Sequence, residues 1–166
     1  KMMDRKHADF YTADALSDAL GRDKSSRLYV SLKKEQKLVS EINAYIMGSH
    51  DDGLLVISGK LMDGVSFDNL DKALWESLEL LCSKPMDALE LARIMVKIRT
   101  AKAFQDQGLL NRAMALSMSE LLGDANDVNL ENEKYKQITP EDMHRVANEI
   151  FRKERCSVLR IKSKKK

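Results

Sequence analysis

The hydrophobic period of this chain changes twice along its length. On either side of a central stretch, apolar residues recur three or four positions apart; within it they alternate. Leu38, Ile42, Ala44 and Ile46 fall at even positions with Glu41, Asn43 and Tyr45 between them, which is the period of a strand with one buried face. Ser49-His50-Asp51-Asp52-Gly53 is a turn cluster. A second alternating run, 54–61, sets Leu55, Ile57 and Leu61 opposite Leu54 and Val56. Two strands joined by a short polar loop predict a hairpin over 38–61.

Helical spacing surrounds this hairpin. Phe10, Ala13, Leu16 and Leu20 make a stripe over 8–20, with Gly21 as its stop. Ser25 is placed to cap a second helix that carries Leu28 and Leu32. After Gly64, Ser66 opens a helix with Phe67, Leu70, Leu74, Leu78 and Leu81 on one side and Trp75 half buried. Ser83-Lys84-Pro85 ends it and places Pro85 in the first turn of the next helix, 86–107, whose stripe reads Leu89, Ala92, Val96 and Ala103. Gly108 and Gly123 bound another helix over 109–122. Thr139-Pro140-Glu141-Asp142 combines a hydroxyl cap, a first-turn proline and first-turn acids; the helix it opens buries Met143, Val146, Ala147 and Ile150. Residues 156–161 read as a last strand that returns to the sheet, and the first residues are placed to add another. Because helices and strands segregate, the expected fold is α+β: a two-layer sandwich with a small mixed or antiparallel sheet and helices packed on one face.

The 166 residues suit a single domain, 1–166, large enough to bury a core without staples. The net charge of +2 creates no global field that demands an acidic partner. The basic run at 162–166 reads as a solvated end, so neither nucleic acid nor membrane is expected as a partner. Cys82 and Cys156 lie far apart and outside any C-x-x-C pair, which predicts two small buried side chains. The methionines fall on helical stripes and read as core filler. No apolar run approaches the ~20 residues of a membrane helix. The chain begins at Lys1 and reads as a C-terminal fragment of a longer, soluble protein, cytoplasmic or periplasmic.

Site chemistry is sparse. His7, His50 and His144 lie outside H-E-x-x-H and its inverse, H-x-x-E-H, and a zinc site needs three or four converging ligands. His50-Asp51-Asp52 reads as a polar turn before a cation site. There is no G-x-S-x-G elbow, and Gly21 stands alone rather than in a phosphate-cradling loop. These residues predict no catalytic group and no metal ligand within the chain.

One resemblance adds function. The stretch from Ala15-Leu16-Ser17-Asp18-Ala19-Leu20-Gly21 through Ser25-Ser26-Arg27-Leu28 to Leu32-Lys33-Lys34 resembles the insulinase/pitrilysin family of zinc metallopeptidases. There a helix ends in Leu-Gly and is followed by a small-residue turn, Ser-Arg-Leu, then Leu-Arg and a strand. Asp52-Gly53, Gly59, Leu109-Leu110-Asn111-Arg112-Ala113, Glu120-Leu121-Leu122-Gly123-Asp124 and the Thr139-Pro140 helix continue the likeness in order. The resemblance implies a repeated α+β unit whose N-terminal copy carries H-x-x-E-H and a later Glu. The C-terminal copy lacks them and closes over a peptide. It implies that this chain is the non-catalytic C-terminal domain, with zinc in the parent protein and none here. The implied partners are a peptide substrate and a catalytic N-terminal domain or sister subunit. Active members place an Arg and a Tyr where this chain has Lys33 and Ser40, making these the substrate-contact candidates. Lys33 keeps the charge without the planar fork, and Ser40 keeps a hydroxyl without the reach of a phenol. Tyr45, of opposite parity, is expected on the other side of the strand. Against this stand two alternatives: Lys33 and Lys34 as a solvated helix end, and the whole chain as a proteolytically inactive scaffold subunit of the same family.

Overall fold

A computed structural model describes residues 1–162. In chain order it holds α1 (Phe10–Gly21), a π-helical turn (Tyr29–Glu35), β1 (Val39–Met47), β2 (Leu54–Leu61), α2 (Phe67–Ser83), α3 (Ala88–Gln105), α4 (Leu109–Leu122), α5 (Asp127–Lys136), α6 (Pro140–Ile150) and a 3-10 turn (Lys153–Arg155). The fold is α+β with an antiparallel sheet, and β1 and β2 are its only named strands among the described residues.

The core forms where α1 crosses the inner face of β1 and meets α6. Leu16, Leu20, Leu28, Leu32, Val39, Met143 and Val146 are essentially inaccessible there. Gly21 is the last residue of α1 rather than a stop beyond it, and the reason is proximity. A Cβ at Gly21 would sit 2.2 Å from the Ala44 backbone nitrogen and 2.7 Å from the Ala44 Cβ. A side chain at this position would therefore lift the helix off the sheet.

The predicted caps at Ser66 and Thr139 are present. Ser66 Oγ accepts from the Asn69 N–H, and Thr139 forms a reciprocal capping box with Asp142. Ser25 does not cap: its hydroxyl and N–H both donate to Asp23 Oδ1. Leu28 and Leu32 are nevertheless fully buried, as the helical spacing required. Pro85 lies in the link before α3, whose cap is Asp87, with Oδ1 accepting from Leu89 N–H. The buried stripe of α3 is Leu91, Ile94 and Ile98; Leu89 and Val96 are exposed. α5 was not anticipated, because its sequence is polar and buries only Tyr135.

Three further expectations are corrected. Residues 156–161 are not a strand: Val158, Leu159 and Ile161 are exposed and no ladder reaches them. Instead Arg160 is held by Asp71 and Asp68 on α2. Cys82 is half-buried and Cys156 exposed, both as free thiols. The methionines divide: Met2, Met3, Met86 and Met143 are in the core as expected, whereas Met47, Met62, Met114 and Met118 are exposed. At the other end, the first residues supply a single rung, an antiparallel bridge between Met2 and Gly53.

Candidate peptide-facing surface

The helices cover one face of the hairpin and leave the other open. Along the open face the register pairs Met47 with Leu54, Tyr45 with Val56, Asn43 with Ser58 and Glu41 with Lys60. Directly opposed residues in an antiparallel pair share a face, so the surface is graded. Its turn end is apolar, with Tyr45, Met47 and Leu54 about half accessible. Its other end is polar and charged. Such a surface offers apolar contact and hydrogen bonding to an extended chain, and it carries no nucleophile–base pair.

Ser40 sits where the ladder slips. Val39 pairs with Leu61 and Glu41 with Lys60, so Ser40 is the extra residue of a β-bulge. Val39 and Ile42 both enter the core with two residues between them. The bulge thereby removes the simple alternation that set Tyr45 and Ser40 on opposite sides. The Ser40 hydroxyl donates to the Lys60 carbonyl at 3.2 Å. Lys33, on the π-helical turn, holds its Nζ 4.9 Å from the centre of the Tyr29 ring, a cation–π contact. No hydrogen bond joins Lys33 to Ser40, and each is engaged locally. The π-helical winding over Tyr29–Glu35 has no periodicity signal that could have announced it.

Sequence reasoning missed the groove beside Tyr45. Asp14, Asp18 and Arg22 of α1 line it together with Asn43, Tyr45 and Ser58. Burial pushes the Asp14 carboxyl above its ordinary value, against the pull of a hydrogen bond from Tyr135. Burial likewise raises Asp18 to about 6, opposed by its pairing with Arg22. The i, i+4 spacing of Asp14, Asp18 and Arg22 was visible, but not that the stripe would lie against a strand.

The residues present do not fit a zinc ion. His144 Nε2 is bonded to the Cys82 carbonyl at 2.9 Å. His7 Nδ1 accepts the Asp9 N–H, and His50 lies on the exposed turn. Among the described residues, no three His, Cys, Asp or Glu side chains converge.

Comparison with known proteins places this architecture. Residues 1–97 match the peptidase M16 inactive domain, so the chain belongs to that family. A protein from Bordetella pertussis described as a candidate zinc protease superposes with a TM-score of 0.78 at 28% identity, over 90% of this chain and 82% of that one. The inactive peptidase domain of a candidate zinc protease from Bordetella parapertussis gives 0.80 at 28% identity, over 90% and 81%. A protease from Helicobacter pylori shares the fold, with a TM-score of 0.85 at 23% identity over 91% of this chain; the chain spans 36% of its length. No curated protein matches the chain. No helix in the described residues is long and apolar enough to cross a membrane.

Proposed function

We propose that this chain is the peptide-enclosing, non-catalytic wall of an M16 zinc peptidase, with the zinc held by a catalytic domain or sister subunit. The observation that carries this reading is the open hairpin face. It bears half-accessible Tyr45, Met47 and Leu54 beside hydrogen-bonding Asn43 and Ser58, on a domain whose family is the inactive M16 unit. An extended peptide laid on this face exchanges water for apolar contact and backbone hydrogen bonding. Closing the wall over it removes water from the cleavage site of the partner.

The chain on its own is expected to give no turnover of an unfolded peptide panel with added zinc, while the complex with an H-x-x-E-H-bearing partner cleaves. Turnover by the chain alone, lost on chelation, overturns the reading. A second reading, a scaffold subunit without proteolysis, is favoured by Lys33 and Ser40. The first is stacked on Tyr29 and the second bonded to Lys60, so neither is a free donor for a scissile carbonyl. Activity of the complex with an intact zinc motif in the partner decides between them.

A further inference from the structure

α4 is packed along one side only. Ala115, Ser119 and Leu122, at i, i+4 and i+7, form its covered seam, and α5 is its chief neighbour. The opposite side carries Leu110, Met114, Ser117 and Leu121, again at helical spacing. Leu110 is 72% accessible, Met114 62% and Leu121 69%. The two charged residues of α4, Arg112 and Glu120, fall outside this stripe, and Glu120 is turned back to accept the Ala125 N–H. Apolar side chains scattered singly over a surface need no partner. A contiguous stripe without charge is different, because loss of charged residues is what marks the core of an interface.

The stripe is large enough to hold a second copy of the chain. The outward half of a helix with the length of α4, about 21 Å by 10 Å across, presents on the order of 400 Å². Asn111 Nδ2 donates to the Gln105 carbonyl, so the end of α3 that carries exposed Phe104 stays beside the first turn of α4. With Phe104 included, two copies bury about 1,000 Å² in total, the threshold for a specific but weak interface. The stripe is also self-complementary. Leu110 and Leu121 stand equally far from its midpoint, as do Met114 and Ser117. A two-fold axis through that midpoint sets Leu110 against Leu121 of the second copy, and the reverse. The antiparallel arrangement opposes the two helix dipoles favourably, and a net charge of +2 per chain offers little repulsion. A membrane surface is a poorer fit, because helices that lie on membranes line their polar face with Lys and Arg, whereas α4 has one Arg and one Glu.

We infer that α4 is a self-association surface, on which two copies of this chain pair their Leu110–Met114–Leu121 stripes antiparallel across a two-fold axis. The pairing covers apolar area that the fold leaves in water and uses no residue of the open hairpin face. It therefore does not depend on the peptide-enclosing role of that face.

Analytical ultracentrifugation tests the inference, with reductant present so that the exposed Cys156 does not cross-link copies. The mass is expected to rise from one copy towards two between about 1 µM and 1 mM. Leu110→Lys and Leu121→Glu each place an unpaired charge in the apolar seam, and each is expected to weaken association at least about thirtyfold. Combined in one chain, the two charges face each other across the two-fold axis. The double variant is therefore expected to associate more tightly than either single variant, with the gain lost at high salt. Val158→Lys, at an exposed apolar position away from α4, is expected to leave association unchanged. Because all these side chains are exposed, the urea midpoint of each variant at low concentration should match that of the parent chain. A parent chain that stays monomeric at about 1 mM overturns the proposal. So does a dimer that tolerates both single substitutions, and a double variant weaker than both singles rules out the antiparallel pairing.

Discussion

Tyr135 donates its hydroxyl to Asp14 Oδ2 at 2.5 Å, joining α5 to α1 across 121 residues of sequence. The ring of Tyr135 also meets Tyr11 edge-on, with centroids 5.0 Å apart. Burial pushes the Tyr11 hydroxyl up to about 12, and burial together with the adjacent Asp14 raises Tyr135 as well. Tyr135 is the only residue α5 buries, so this contact fastens an otherwise polar helix to the wall of the Asp14 groove.

Replacing Tyr135 with Phe keeps the ring and removes the donor. Asp14 is then a buried carboxylate without that partner, which costs about 1–3 kcal/mol. Urea unfolding is expected to show a lower midpoint with an unchanged slope. Asp14→Asn, which keeps an acceptor for the Tyr135 hydroxyl and removes the buried charge, is expected to cost less than Tyr135→Phe. The reverse order would show that the hydroxyl matters little.

The acidic stripe of α1 also sets a pH dependence. Asp18 titrates at about 6 in the folded chain against 3.8 unperturbed, with burial as the leading cause. The folded state therefore holds the proton more tightly than the unfolded state. The stability this contributes is fully present below about pH 4 and is lost as pH rises towards and through 6. Asp14, raised in the same direction, adds to the effect. Asp9 opposes it: the hydrogen bond from Arg145 lowers its carboxyl, so its contribution is present above the unfolded value and lost in acid. Asp18→Asn is expected to flatten the fall in stability between pH 4 and 6. Thermal melts across that range measure it, and an unchanged slope would assign the dependence elsewhere.

Gly21 tests how α1 is seated on the sheet. A methyl at this position meets backbone atoms of Asn43 and Ala44, not the far end of a flexible side chain. Gly21→Ala gains helix propensity worth about 1 kcal/mol but overpacks the α1–β1 contact at a cost of about 1–3 kcal/mol or more. The expected outcome is net destabilisation in calorimetry, opposite in sign to the substitution in an exposed helix.

How much of this was legible follows from what each feature depends on. Ser66 and Thr139 declared their helices because a cap is a local hydrogen bond between residues three apart. The family likeness rested on a similarly local order of short motifs. The alternation from Ile42 to Ile46 declared the open and closed faces of β1, but the bulge at Ser40 depends on the partner strand and leaves no trace in β1 alone. α5 was hidden because a helix held by one buried Tyr135 has no apolar stripe. Residues 156–161 have the pattern of a strand, yet a strand is a relation to a neighbouring strand, and among the described residues none pairs with them; Arg160 is held by α2 instead. The groove at Asp14 and Asp18 was unreadable for the same reason: it forms only where α1 crosses β1.

The open face yields the sharpest functional expectation. Tyr45 and Met47 project from β1 with about half of their surface accessible and no covering helix. If a peptide lies on this face, its contact with one such side chain contributes about 1–2 kcal/mol from buried apolar area, or roughly tenfold in affinity. In the complex with a zinc-bearing partner, Tyr45→Ala is expected to raise KM about tenfold with little change in kcat, since the contact is made equally before and during cleavage. The stability of the domain should barely change, because the ring is not part of the core. Lys33→Ala is expected to leave KM and kcat within about twofold, because its ammonium is already engaged with Tyr29 and does not reach out to substrate. A Lys33 variant that lowers kcat while Tyr45→Ala leaves KM untouched would move the peptide off the hairpin face and restore the donor role to the π-helical turn.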